Sequence, residues 1–283
     1  MVVWAPAKVN LYLEILGKRP DGFHELATLM VAVSLYDTLE FKEDVSGAIT
    51  LGCTHPHLST GGDNLVCRAA HLLRERTGCR RGARIQLVKR IPLAAGLAGG
   101  SSDAAATLAG LNRLWRLKRT PAELAALGAE LGSDVAFFFA TPAAWCTGRG
   151  EQVTPWPLGR ALDLVLVSPP VGLSTAEVYR GVRVPEQPHT GQEIRAAARA
   201  GDVEEIGRRL HNRLQPAAER LCPAVASLGS RLHRLGPAGC LMSGSGSCLF
   251  ALCRHRHEAM TIAREFRRGS DEGLSVFVVR SCF

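Results

Sequence analysis

The 283-residue sequence predicts an α+β fold in two domains, and three observations carry that expectation. Strand-like runs and capped helices both recur along the chain, without the steady alternation that builds a doubly wound parallel sheet. The length suffices for one large or two modest domains, each with a sizeable core. A Pro/Gly-rich stretch ending in "TPWPLGR" interrupts the middle of the chain and sets a boundary near residue 158.

Taken in order, the first strand is "KVNLYLEIL", where Val9, Leu11, Leu13 and Ile15 alternate as in a half-buried strand. "ATLMVAVSLYDTLEF" and "AITLGC" follow as strands, and Asp63 is expected to cap a helix over "NLVCRAAHLLRERTG". "ARIQLVKRI" reads as another strand, with Ile85, Leu87 and Ile91 partly alternating. It feeds "IPLAAGLAGGSSDAAATLAGLNRL", where Gly96, Gly99, Gly100, Ser101 and Ser102 stand before a helix expected over 101–117. Ala104, Ala105, Leu108, Leu111 and Leu114 form that helix's apolar face. Thr120, Pro121 and Glu123 spell a capping box with proline in the first turn, for a helix reaching Gly132. Ser133 reads as the next cap, with Asp134 in the first turn of "DVAFFFA", and "TPAAWCTGRGEQVTPWPLGR" as a turn-rich hairpin. Beyond it come the strand "DLVLVSPP" and a helix from Ser174 through Tyr179 to about Gly181. Helical segments at 191–200, 202–214 and 223–235 precede a strand–loop–strand, "GCLMSGSGSCLFAL". A helix near 256–268 and the strand "LSVFVVR" close the chain.

Composition narrows the function classes. Hydrophobic residues are 46% and charged residues 21% of the chain, an ordinary globular balance. No run approaches the ~20 apolar residues of a membrane span. "MVVWAPAKVN" lacks the basic start and apolar run of a signal peptide, so a cytoplasmic location is expected. The nine cysteines are scattered, with no C-x-x-C pair and no metal-ligand spacing, which points to free thiols. His255 and His257 flank Arg256 and read as surface residues; no metal site built of side chains is expected. The net charge of +8 suits anionic small molecules, and suits nucleic acid too. Arg80, Arg81 and Arg84, like Arg264, Arg267 and Arg268, are not interleaved with aromatics, so a solvated basic surface is the simpler reading.

The glycine stretch fits phosphate binding. A helix N-terminus leaves its first amides unpaired and carries partial positive charge, so an anion is stabilised there. Clustered glycine costs backbone entropy and usually marks a close approach to the main chain. The alternative is a tight turn that lets helix and strand pack closely. Neither the G-K-[ST] ending of a Walker A loop nor the Rossmann spacing is present.

Two more stretches complete a pattern: "APAKVNLYLEILGKRPDGFHEL" at the start and "SGSGSCLF" near the end. With the glycine stretch and "LGSDVAFFF", in this order, they resemble the GHMP kinase superfamily. The A-K-x-N-L and D-G-[FY]-H pieces match its branch acting on a cytidine-diphosphate-linked polyol in non-mevalonate isoprenoid precursor synthesis. The resemblance implies a ribosomal-protein-like ATP-binding domain over 1–158, an α/β sandwich domain over 159–283, and a substrate cleft between them. It implies ATP with magnesium as phosphoryl donor and small-molecule partners only, with no nucleic acid or membrane, in a monomer or weak homodimer.

Residue by residue, Lys8 and Asp134 match the catalytic pair, and Asn10 and His24 match substrate contacts. Phe23 and Tyr179 match aromatics around the cytidine. Pro92, Leu93, Ala94, Ala95, Gly96 and Leu97 match the ATP loop, as do Ala98, Gly99, Gly100, Ser101 and Ser102; Asn64 matches a nucleotide-side residue. Ala136 stands where some members have proline, Phe23 where some have tyrosine, and Cys248 where a hydroxyl or small residue is commoner.

The chemistry agrees with these assignments. A kinase must take a proton from an alcohol and stabilise a phosphoryl group in transit, largely by positioning and electrostatics. An aspartate can accept that proton, and a lysine can hold the hydroxyl and the γ-phosphate. Taken singly, Asp134 reads as a helix-start acid, Lys8 as a solvated strand residue, and His24 as a loop histidine. Phe23 reads as a core anchor and Tyr179 as a packing residue. The joint pattern favours a cytidyl-polyol kinase, "DGFHEL" arguing against a mevalonate or homoserine kinase, with a basic nucleic-acid-binding module as the alternative of a different class.

Overall fold

Two long strands organise the protein, far longer than the alternating run that announces the first of them. The computed structural model describes residues 1–140, 142–269 and 272–282. In chain order the elements are β1 (Val2–Lys18), β2 (His24–Asp44), β3 (Ile49–Cys53), α1 (Leu65–Thr77), β4 (Gly82–Val88), α2 (Gly99–Leu114), α3 (Pro121–Leu131), a 3₁₀ turn (Ala136–Phe139), β5 (Ala143–Thr147) and β6 (Gln152–Pro155). Then follow β7 (Asp163–Ser168), α4 (Thr175–Arg180), α5 (Gln192–Ala200), α6 (Val203–Arg209), β8 (His211–Asn212), α7 (Gln215–Leu221), α8 (Pro223–Arg234), β9 (Gly239–Met242), β10 (Leu249–Cys253), α9 (Arg256–Arg268) and β11 (Ser275–Arg280). The α+β class holds. None of the described helices is long and apolar enough to cross a membrane.

The chain forms two compact units that interleave along the sequence. The first takes Met1–Ala7, Leu35–Ile91 and Ala98–Ala140; the second takes Lys8–Ser34, Pro92–Leu97 and the remainder from residue 141. β1 and β2 therefore contribute to both, and residue 158 falls inside the second unit.

In the first unit the far half of β2 pairs antiparallel with β4, and β3 pairs parallel with β4. Leu39, Phe41, Ile85 and Leu87 from the strands meet Val66, Leu73, Ala104, Leu108 and Leu111 from the helices, and Trp115 just past α2, in one core. Local chemistry fixes the helix starts. Thr120 and Glu123 make the expected capping box at α3. At α1 the cap is Asn64 rather than Asp63: Asn64 Oδ1 accepts from Val66 N at 2.9 Å, while Asp63 accepts from Ser59 Oγ at 2.5 Å. α2 begins at Gly99, two residues before its expected start, and ends at Leu114. Ser133 caps no α-helix, because the chain makes only a 3₁₀ turn there and no side chain caps it.

In the second unit the near half of β2 pairs with β5, and β5 with β6, which is the expected hairpin. β1 pairs parallel with the two-residue β8. A separate sheet, ordered β11-β7-β10-β9, is antiparallel throughout. Val165, Val167 and Ala251 of that sheet pack with Leu228, Leu232, Ile262 and Phe266. The helix expected over 202–214 is interrupted. Asn212 bonds Met242 O and Gly244 O through Nδ2 and accepts from Leu214 N, holding the chain extended before α7 starts at Gln215 with proline in its first turn.

Candidate active site

The alternation of β1 has a second face. Val9, Leu11, Leu13 and Ile15 form the apolar row, so Lys8, Asn10, Tyr12 and Glu14 share the opposite side of the pleat. Both rows are buried from Ala7 to Ile15, which a half-buried strand would not be. Polar groups in that setting need partners, and each has them. Lys8 is only 3% exposed, and its Nζ donates to Asn10 Oδ1 at 2.7 Å and to the Gly96 carbonyl at 2.9 Å. Asn10 Nδ2 donates to Thr28 Oγ1 at 2.8 Å, and that hydroxyl donates to Tyr12 O at 2.5 Å. Lys8 is thus a buried side chain held against the glycine loop, not a solvated strand residue.

Glu14 is fully buried beneath a two-pronged Arg213 contact, 2.7 Å on each prong. Burial works to raise its pKa, and the Arg213 fork overrides this to hold the carboxyl well below the usual carboxylate range. Tyr12 donates to His189 O at 2.7 Å. Neither residue was singled out in the sequence. The signal that could have found them is the polar residue at every second position between the apolar ones.

The loop before α2 is backbone-driven. Ala94, Gly96 and Ala98 all have positive φ, at 49°, 74° and 54°. For alanine that conformation costs about 1–2 kcal/mol, so the surrounding contacts must enforce it. They come from the second glycine-rich stretch and the segment after β7. Cys248 N donates to Ala95 O at 3.1 Å, Ser243 Oγ to Gly96 O at 3.0 Å, and Leu173 N to Ala94 O at 3.3 Å. A Cβ on Gly96 would stand 2.0 Å from Ser243 O, so only glycine fits there.

α2 starts on Ala98 with no side-chain cap, and Gly99 and Gly100 form its first turn. Its opening amides are the groups that a helix leaves unpaired. Ser102 Oγ is buried and has no hydrogen-bond partner among the described residues. The two glycines differ in what they do. A Cβ on Gly100 would merely touch Leu65 at 3.4 Å, whereas one on Gly99 would press on Lys89 Nζ at 2.8 Å and Ile91 Cγ2 at 3.0 Å. Close packing, rather than ligand approach alone, requires glycine at 99. A Cβ on Gly132 would lie 4.0 Å from Ser101 Oγ, so the turn leading to Asp134 runs beside the start of α2. Asp134 is half-buried on that turn.

Asn64 uses both ends of its amide locally, capping α1 and donating to Ser59 O at 2.6 Å. In the second unit His24 and Tyr179 are brought together, with ring centroids 5.4 Å apart. Ser174 caps the short α4 that carries Tyr179, and Tyr179 packs in part against the core. Phe23 is 51% exposed, with the Arg149 guanidinium 4.8 Å above its ring, so it is not a core anchor. Burial, and then the charge of Lys18, lower the His24 pKa, which favours the neutral ring with one donor and one acceptor.

The family models for the GHMP kinases N terminal domain and the GHMP kinases C terminal match residues 64–141 and 194–271. The chain is 42% identical to the 4-diphosphocytidyl-2-C-methyl-D-erythritol kinase of Shouchella clausii over 278 residues, 98% of this chain and 94% of that protein. It is 43% identical to the enzyme of the same name from Pelotomaculum thermopropionicum, over 95% of this chain and 94% of the other. A crystal structure of a 4-(cytidine 5'-diphospho)-2C-methyl-D-erythritol kinase matches with a TM-score of 0.83 at 35% identity, covering 100% of both chains. With identity of this order over nearly the whole length, the chain belongs to the 4-diphosphocytidyl-2-C-methyl-D-erythritol kinase family of the GHMP kinases.

Proposed function

We propose that the chain transfers the γ-phosphoryl group of ATP to the 2-hydroxyl of 4-(cytidine 5'-diphospho)-2-C-methyl-D-erythritol, a step of isoprenoid precursor synthesis. The observation that carries this reading is the start of α2, which no side chain caps and where the buried Ser102 hydroxyl has no partner among the described residues. Such a start stabilises a polyphosphate through its amides and partial positive charge.

The residues then divide the work. The loop from Pro92 to Ser102 cradles the phosphates. Lys8, held in place by Asn10 and the Gly96 carbonyl, offsets charge on the transferring group. Asp134 accepts the proton of the attacking hydroxyl. Magnesium takes oxygen ligands, and Ser102 Oγ is an unsatisfied oxygen of that kind. When bound, the ion would neutralise phosphate charge. Tyr179 and Phe23 offer ring faces to a cytosine, and neutral His24 offers a donor and an acceptor to its edge.

The test is an ADP-release assay with the cytidyl polyol beside mevalonate and homoserine. Turnover of the cytidyl polyol alone is expected; preference for either other acceptor overturns the reading. In the same assay Asp134→Asn should lose about 100-fold or more in kcat, with ATP affinity by calorimetry unchanged. Lost ATP binding would instead make Asp134 a nucleotide or metal residue.

A further inference from the structure

Beneath the first turn of α2 lies a buried charge cluster with no part in the roles above. Lys89, just past β4, has a side chain only 2% exposed, and its ammonium bonds Asp37 of β2 and Asp103 of α2. The contact to Asp103 Oδ2 is 2.8 Å. Both aspartates are buried too. Asp37 also accepts through Oδ1 from the amides of Arg90, at 2.5 Å, and Ile91, at 2.9 Å. Above the ammonium sits Gly99, where a Cβ would be 2.8 Å from Lys89 Nζ.

Stability is a poor reason for such a cluster. Taking such groups out of water is costly, burial pushing the Asp103 carboxyl up to about 7, and apolar residues of similar volume often stabilise a core as well or better. What charged hydrogen bonds supply, and apolar packing does not, is direction. The bonds here join the chain just before the glycine loop (89–91) to the first turns of α2 just after it, and brace both on β2. The loop between them is held at its two ends by one point.

We propose that Asp37, Lys89 and Asp103 are positioning residues for the phosphoryl donor, clamping both ends of the glycine loop so that the first amides of α2 stay where the phosphates need them. The proposal rests on the reading that ATP phosphates lie at that helix start. None of the three touches the reacting atoms. Their loss therefore acts on ATP affinity rather than on the chemical step or on the acceptor.

Asp103→Ala tests this cleanly, because Lys89 keeps Asp37 and the remaining pair is charge-balanced. The Kd and KM for ATP should rise about tenfold or more, with kcat at saturating ATP within about threefold and the acceptor KM within about twofold. Asp103→Asn, which retains an oxygen for Lys89, should restore most of the ATP affinity. Gly99→Val, which pushes the first turn off the ammonium, separates the two ways to fail. If Gly99→Val weakens ATP binding and a cooperatively melting Asp103→Ala does not, the clamp is wrong and the phosphate site stands. If neither variant changes the Kd for ATP, the phosphate reading falls and the clamp with it. An Asp103→Ala chain that no longer melts cooperatively also overturns the proposal, since the cluster would then be a requirement of the fold.

Discussion

The two glycine-rich stretches, 92–100 and 243–248, look alike in sequence and are used differently. The first turns through three residues of positive φ into a long helix whose start no side chain caps. The second closes on itself and on its neighbours. Ser243 N donates to Cys248 O and Gly246 N to Ser243 O, each at 2.9 Å. Ser247 Oγ donates to Val171 O, Ser245 and Thr175 share a hydroxyl contact at 2.9 Å, and Asn212 Nδ2 reaches Gly244 O at 2.8 Å. Its groups shape the first stretch and fix the approach to α4, which carries Tyr179. Glycine content does not separate a ligand cradle from a packing turn; the uncapped helix that follows one of them does.

The comparison breaks most easily where the stretches meet. Gly96→Val would drive a side chain into the Ser243 carbonyl at a residue with φ 74°. It should cost about 3 kcal/mol or more and remove activity; an unchanged thermal melt would show that the two stretches do not brace each other. Tyr179→Ala probes what the second stretch supports on the acceptor side. It should raise the KM for the cytidyl substrate about tenfold and leave that for ATP within about twofold, as expected for one lost stacking face. Equal losses for both substrates would blur the division.

Glu14→Gln should have the smallest effect, and on stability alone. Glu14 shares a strand face with Lys8, yet it is engaged by Arg213. Its folded pKa is depressed, so its contribution is present above the unfolded pKa and lost as pH falls through the folded one. The variant should be less stable by about 1 kcal/mol near pH 7. That gap should narrow as pH falls below about 4.3, the ordinary glutamate pKa. A gap that widens in acid, or a changed KM for ATP, would contradict this account.

What the sequence determined by itself is local. The Thr120–Glu123 box, the Ser174 cap and the span of α9 follow from side chains within one helical turn of the backbone they bond. The order of the motif stretches likewise groups Lys8, Asp134 and the glycine loop as one expected site. Errors arose where near-equal local choices competed, as between Asp63 and Asn64, or where a distant group decided, as when Asn212 bonded β9 and the helix expected over 202–214 ended at Arg209. Tertiary structure alone turned the polar row of β1 into a buried network, because burial depends on what covers a strand and not on the strand's own pattern. It alone assembled Asp37, Lys89 and Asp103, which lie 52 and 14 residues apart along the chain. Each reads singly as a solvated charge. Only the packing of α2 on β2 and β4 removes the water and leaves the Lys89 ammonium to bond both carboxylates.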